Sequence, residues 1–288
     1  QYNPTSNGDL NNENLLIEKC TFENCQGINT RALNIKLSTE KILFANNTFK
    51  DCSVTGVTTS GGYLIGLDLE LINISEFVMD RIIFKNLSTD SDFSGGIGCL
   101  IKQNKEYEIL FKNCIFDGNH ACFSKTSDGC NNGKGGAFQY GWSSSFSNIS
   151  LIINGCIFNQ NKADQEGGAL CLMIQGNIEI RDCEFINNKA GVTQTGEYFG
   201  GAISITPNKE YQQTKPIDTI SIENCSFIGN SGHDADSIYV NKSPETDLYI
   251  SNNCQFISNS TETGSHFTII CYSQKIEICD CFFEFSSI

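Results

Sequence analysis

Apolar residues along this chain come in short alternating bursts. Pairs two residues apart recur as Leu15/Ile17, Ile42/Phe44, Phe77/Met79, Ile109/Phe111, Leu151/Ile153, Ile178/Ile180, Ile220/Ile222, Leu248/Ile250 and Ile276/Ile278. A period of two predicts a strand with one buried face. Polar residues such as Asn154-Gly155, Arg181-Asp182 and Glu223-Asn224 follow each pair. Asn, Asp and Gly tolerate the left-handed backbone region, so these positions predict a tight corner. Then comes Cys-x-Phe, a second short strand with residues i and i+2 facing inward. No segment longer than about ten residues keeps a 3.6-residue period, so almost no helix is expected.

The anchor of the repeat is a phenylalanine, at Phe22, Phe49, Phe84, Phe116, Phe158, Phe185, Phe227, Phe256 and Phe283. The shortest spacing, 27 residues, occurs three times, and longer ones read as the same unit with loop insertions. Two residues before the anchor stands a cysteine, except at Asn47 and Ile82. Three residues after it stand Asn119, Asn161, Asn188, Asn230 and Asn259, with Cys25, Cys52 and Leu87 in the early units. The eighth unit is one residue out of step, which predicts a bulge. Gly-Gly pairs at 61–62, 95–96, 135–136, 167–168 and 200–201 open a third strand where the backbone must pass close to a neighbour. Each unit buries its inner face only by stacking. The expected fold is all-β: a right-handed parallel β-helix of about nine three-stranded coils over residues 15–288, with residues 1–14 a linker or N-terminal cap. The uncapped segment Cys281–Phe285 leads us to expect that the helix continues past Ile288 or is covered by another subunit or copy.

The Phe-x-x-Asn motifs, together with Gly-Gly-Ala at 135–137, 167–169 and 200–202, resemble the repeats of the polymorphic membrane protein family, best known as chlamydial autotransporter adhesins, with relatives among protist surface proteins. The first three coils depart from the pattern. The resemblance implies a surface-exposed, non-enzymatic β-helix used for adhesion or as a structural module.

Composition narrows the partners. With 33 acidic and 19 basic residues, net charge −14, the chain offers no surface for nucleic acid or for anionic membranes and glycans. No apolar run is long enough for a membrane span. The fifteen cysteines are too few for a disulfide-stapled miniprotein and odd in number. The interior ladder Cys114, Cys156, Cys183, Cys225, Cys254 and Cys281 has two readings: packed small hydrophobes, or disulfides between adjacent coils. Cys25 and Cys52, at one corner of consecutive coils, and Cys122 and Cys130, in one long loop, are the other disulfide candidates. They would indicate an oxidising compartment. Among the sequons, Asn73, Asn86, Asn148 and Asn241 are the glycosylation candidates.

No metal or cofactor site is expected. His120 with Cys122 and Cys130 is no recognised zinc pattern, and Asp234/Asp236 lack the oxygens calcium needs. No catalytic residues are assigned either. Glycoside hydrolysis needs two positioned carboxylates, and the outward residues read between Cys and Phe and within the apolar pairs supply few acids. Those columns are instead apolar: Ile83, Ile115 and Ile157 on one face, and Leu16, Leu43, Val78, Leu110 and Ile152 on the next. Either a loop of the same chain covers them (117–134 or 189–199), or they contact a protein partner. The expected role is therefore a non-enzymatic extracellular or cell-surface rod for adhesion or assembly. It would pair with a protein partner or with itself, end to end or through the apolar strip. The alternative is a glycan-processing β-helix enzyme.

Overall fold

The computed structural model describes residues 14–28, 33–35, 41–55, 65–68, 75–89, 97–100, 107–121, 133–140, 148–173, 175–191, 199–206, 219–232, 235–240, 247–258, 269–271 and 275–285. These form strands and turns with no helix. All strand pairings are parallel, each strand bonding to its equivalents one coil before and after. The architecture is a parallel β-helix.

Four sheets run along it. Sheet I has nine strands, among them Asn14–Glu18, Lys41–Ala45, Glu76–Asp80 and Tyr107–Lys112. Sheet II also has nine, among them Thr48–Lys50, Ile83–Lys85 and Ile157–Asn159. Sheet IV has eight, including Phe138–Tyr140, Leu170–Leu172 and Ile203–Ile205. The sequence led us to expect three strands per coil. Between II and IV lies a further sheet III of six strands two or three residues long, such as Ser88–Thr89 and Lys162–Ala163. A two-residue strand has one inward residue and hence no period, which is why the sequence pattern does not reveal it.

The phenylalanines form one column inside sheet II. Successive rings from Phe22 to Phe283 lie 4.5–5.3 Å apart, within 18° of parallel. In-register parallel strands impose this repeat, because each ring is carried about 4.8 Å along the axis by its own backbone. The inward Ile and Leu residues of sheet I pack beside them, fully buried from Ile42 to Ile250.

Corners between sheets I and II, and between II and III, share one geometry. A residue at positive φ, such as Asn46 (54°), Arg81 (53°), Asn86 (52°) or Asp182 (52°), turns the chain. The next residue's N–H then points toward the following coil and needs an acceptor there. At the first corner that acceptor is a thiol: Cys114 N–H donates to Cys156 Sγ (3.4 Å), and Cys156 N–H to Cys183 Sγ (3.4 Å). At the second it is an amide: Asn119 N–H donates to Asn161 Oδ1 (3.1 Å), and Asn161 N–H to Asn188 Oδ1 (3.0 Å). Asn47, an exception in the cysteine column, does the same work, accepting from Cys20 N–H at 2.8 Å. The register shift in the eighth unit is not a strand bulge. Leu248 and Ile250 pair in register with Ile220 and Ile222, and the extra residue is absorbed by a corner with both Asn252 and Asn253 at positive φ. A corner takes an extra residue without turning any inward side chain outward, whereas a slip within the strand would.

The Gly-Gly-Ala motifs lead into sheet IV. The first glycine has positive φ (Gly167, 64°). A Cβ on the second would stand 2.1 Å from the Gly201 carbonyl oxygen in the case of Gly168. The glycine pairs at 61–62 and 95–96 lie outside the described residues.

Candidate contact surface

The outward residues of sheet I stack as the sequence predicted: Leu16, Leu43, Val78, Leu110 and Ile152 are register partners on successive coils. So are Ile83, Ile115 and Ile157 on sheet II. Leu16 is 56% exposed, Ile83 38% and Leu43 37%, while the remaining residues of both columns are half-buried. The first coils of the strip are therefore open to solvent. Exposed aliphatic side chains in one continuous column are unusual on a protein surface and mark contact sites.

The strip has charged borders because outward positions recur every second residue along each strand. One border carries Lys41, Glu76 and Glu108, the other Glu18, Asp80 and Lys112. Lys41 Nζ lies 2.7 Å from Glu76 Oε2, and Arg81 lies 2.7 Å from Asp80. The longer charged side chains leave a shallow trough floored by Leu16, Leu43, Val78 and Leu110. On sheet II the isoleucine column is bordered by the Lys85–Asp117 pair at 2.8 Å.

The face that the chain covers itself is the outer side of sheet IV, which the sequence reading did not single out. Strands 138–140, 170–172, 203–205 and 238–240 are buried at every position, outward residues Gln139, Cys171, Ser204 and Tyr239 included. Lys134 donates to Glu166 (2.8 Å) and Ser204 Oγ donates to the same carboxylate (3.2 Å), fastening the segment before Gly167-Gly168 against that face. Phe199 stacks on Tyr239 with ring centroids 4.1 Å apart. The run Leu170-Cys171-Leu172, with no polar residue between, was the available signal for a strand buried on both sides.

Carboxylates are more clustered than the columns first read suggested. Glu76 and Glu108 are register partners on neighbouring strands of sheet I. Glu179 is paired with Arg181 on its own strand (2.9 Å), and Glu277 with Lys275 (3.0 Å).

Cys114, Cys156, Cys183, Cys225 and Cys254 are buried free thiols, and Cys281 is a half-buried one. Cys25 and Cys52 are also free, joined by a hydrogen bond from the Cys25 N–H to Cys52 Sγ (3.4 Å). Their side chains act as hydrogen-bonding packing units, as the ladder does. Burial pushes the Cys52, Cys156 and Cys171 thiols up, and Cys281 rises to about 11 for the same reason. Cys122 and Cys130 lie outside the described residues, as do Asn73 and Asn241. Asn86 is exposed at a corner, with Nδ2 donating to Asp51 (2.9 Å), and Asn148 opens the strand Asn148–Asn154. Among the described residues no group of three or more His, Cys, Asp or Glu side chains converges on a metal-sized site.

Comparison of the chain with family models, with curated proteins and with solved structures finds no match. The fold and the exposed strip define its class by themselves: a parallel β-helix with a solvent-facing apolar column.

Proposed function

We propose that this chain is a non-enzymatic extracellular or cell-surface module, a rigid rod that works through protein contact in adhesion or assembly. The observation that carries the reading is the open apolar column Leu16–Leu43–Val78–Leu110 between charged borders. A stack of strands holds such a column rigid, so its residues reach a partner with little further ordering cost. The likeness of the Phe-x-x-Asn and Gly-Gly-Ala units to surface-adhesin repeats supports the same reading. Beads coated with the protein are expected to cluster or to attach to cells, and L16D/L43D to reduce attachment at least about tenfold. Attachment indifferent to that double substitution overturns the strip as the contact surface.

One observation favours the glycan-processing alternative. Glu76 and Glu108 project outward from register partners, with backbones about 4.8 Å apart, near the carboxyl spacing of a retaining pair. Under that reading reducing ends are released from polysaccharide, and E108Q stops the release. The Lys41–Glu76 ion pair and the leucine column beside it support the contact reading better than a sugar cleft, where one carboxyl must hold a proton.

A further inference from the structure

We infer that the occupant of the strip is a second copy of this chain, packed face to face with its long axis reversed. The inference rests on the contact reading above and names its partner. It comes from the order of charges along the two borders.

Number the first four coils by their sheet I strands: 14–18, 41–45, 76–80 and 107–112. Along one border, the second coil carries Lys41, the third Glu76 and the fourth Glu108. Along the other, the first carries Glu18, the third Asp80 and the fourth Lys112. Place a two-fold axis along the strand direction, midway between the second and third coils. It turns the rod end for end, keeps strand direction, and sets each border against the same border of the other copy. The first coil then faces the fourth, and the second faces the third.

Every charged position in this arrangement that meets another meets its opposite. Lys41 faces Glu76 of the second copy, and Glu76 faces its Lys41. With the intrachain pair at 2.7 Å, they make a square of alternating charge. On the other border Glu18 faces Lys112 of the second copy, and the reciprocal pair forms by symmetry. Asp80 meets only Ala45, and Glu108 only the position of Asn14. The floor closes as Leu16 on Leu110 and Leu43 on Val78, placing the most exposed residues over the half-buried ones.

The other two-fold arrangement, with rods parallel, is poorer on the same positions. It sets one border against the opposite one within each coil, so Glu108 meets Lys112 twice but Glu76 meets Asp80 twice as well, whereas the reversed arrangement brings no like charges together. Like charges brought together out of water disfavour that pairing.

The contact covers four strands at about 4.8 Å and five residues at about 3.3 Å, a footprint of roughly 20 by 17 Å. That is roughly 340 Å² per copy, less than half the ~800 Å² per partner of a standard specific interface, so the dimer is weak and transient and its ion pairs matter. Its association is expected to fall with salt.

Sedimentation velocity over about 10–500 µM protein spans the range a footprint of this size calls for. The wild type is expected to shift from monomer to dimer. K41E places glutamates against Glu76 of the other copy and weakens the dimer at least about tenfold. The charge exchange K41E/E76K restores it to within about threefold of the wild type. E18K and E18K/K112E behave in the same way. All four positions are at the surface, so none of these variants tests folding instead. A wild type that stays monomeric throughout, or exchanges that rescue nothing, overturns the inference. If coated beads then still attach through Leu16 and Leu43, the contact reading survives with a different partner. If attachment also ignores those leucines, both fall.

Discussion

At a single corner the demand is an acceptor of fixed reach for a backbone N–H pointing at the next coil. Cys and Asn both meet it, which is why Asn47 can stand in a cysteine column. Asn meets it more fully. Asn161 Oδ1 accepts from the Asn119 N–H and from Asn119 Nδ2, while Asn161 Nδ2 donates to the Phe116 carbonyl (3.0 Å) and to Asn188 Oδ1 (2.9 Å). All of this is buried. Replacing Asn161 with alanine leaves the Asn119 and Phe116 groups unpaired in the interior. The expected loss is about 2–4 kcal/mol of unfolding free energy, measured in urea. A loss under about 0.5 kcal/mol would show that the ladder is decorative. The sequence displayed the asparagines at one fixed place, three residues after the phenylalanine. That they bond to one another across coils depends on the stacking distance, which no single repeat contains.

The elements are held apart or together by what stands at their entrances. Sheet IV can approach the next coil only because Gly136, Gly168 and Gly201 lack a Cβ. A methyl group at Gly168 would lie 2.1 Å from one backbone oxygen and 2.6 Å from the Lys189 nitrogen, and backbone cannot move aside as a side chain does. G168A is therefore expected to destabilise by about 3 kcal/mol, lowering the melting temperature by several degrees. An unchanged melting temperature would mean that the strands are less tightly seated than this. The glycine pairs announced a close approach in the sequence. Sheet III was invisible there, because its strands are shorter than any period. The run Leu170-Cys171-Leu172 signalled that sheet IV is buried on both sides, but what covers it was hidden, since the covering groups come from separate stretches of chain.

Over the whole molecule, the buried thiols of Cys52, Cys156 and Cys171 make stability sensitive to alkali. At Cys114 and Cys183 burial is outweighed by hydrogen bonds from neighbouring thiols, which lower both and leave the slope above about pH 9 unchanged. Burial raises Cys52, Cys156 and Cys171 above the ordinary thiol value of 9.0, so the native state keeps protons that the unfolded chain releases. The unfolded state then binds fewer protons, and stability falls as pH rises. The contribution is intact below about pH 9 and is lost progressively above it. Melting temperature should decline from pH 8.5 to 10, before lysine and tyrosine titrate fully, and the decline should be shallower in C171A. A flat profile, or the same slope in C171A, would contradict this.

The order of residues alone determined the parallel β-helix. A period of two, interrupted by left-handed corner residues and repeated around one phenylalanine, has few other ways to bury its apolar side. Sequence also placed the outward leucines and isoleucines in columns, because register follows directly from the repeat. It did not say which column stays open. Loops of unequal length leave from different corners, and only the folded chain fixes where each one lies. Tertiary structure therefore decided that the back of sheet IV is sealed while Leu16 and Leu43 meet the solvent, and it set the charges of neighbouring coils side by side along one trough.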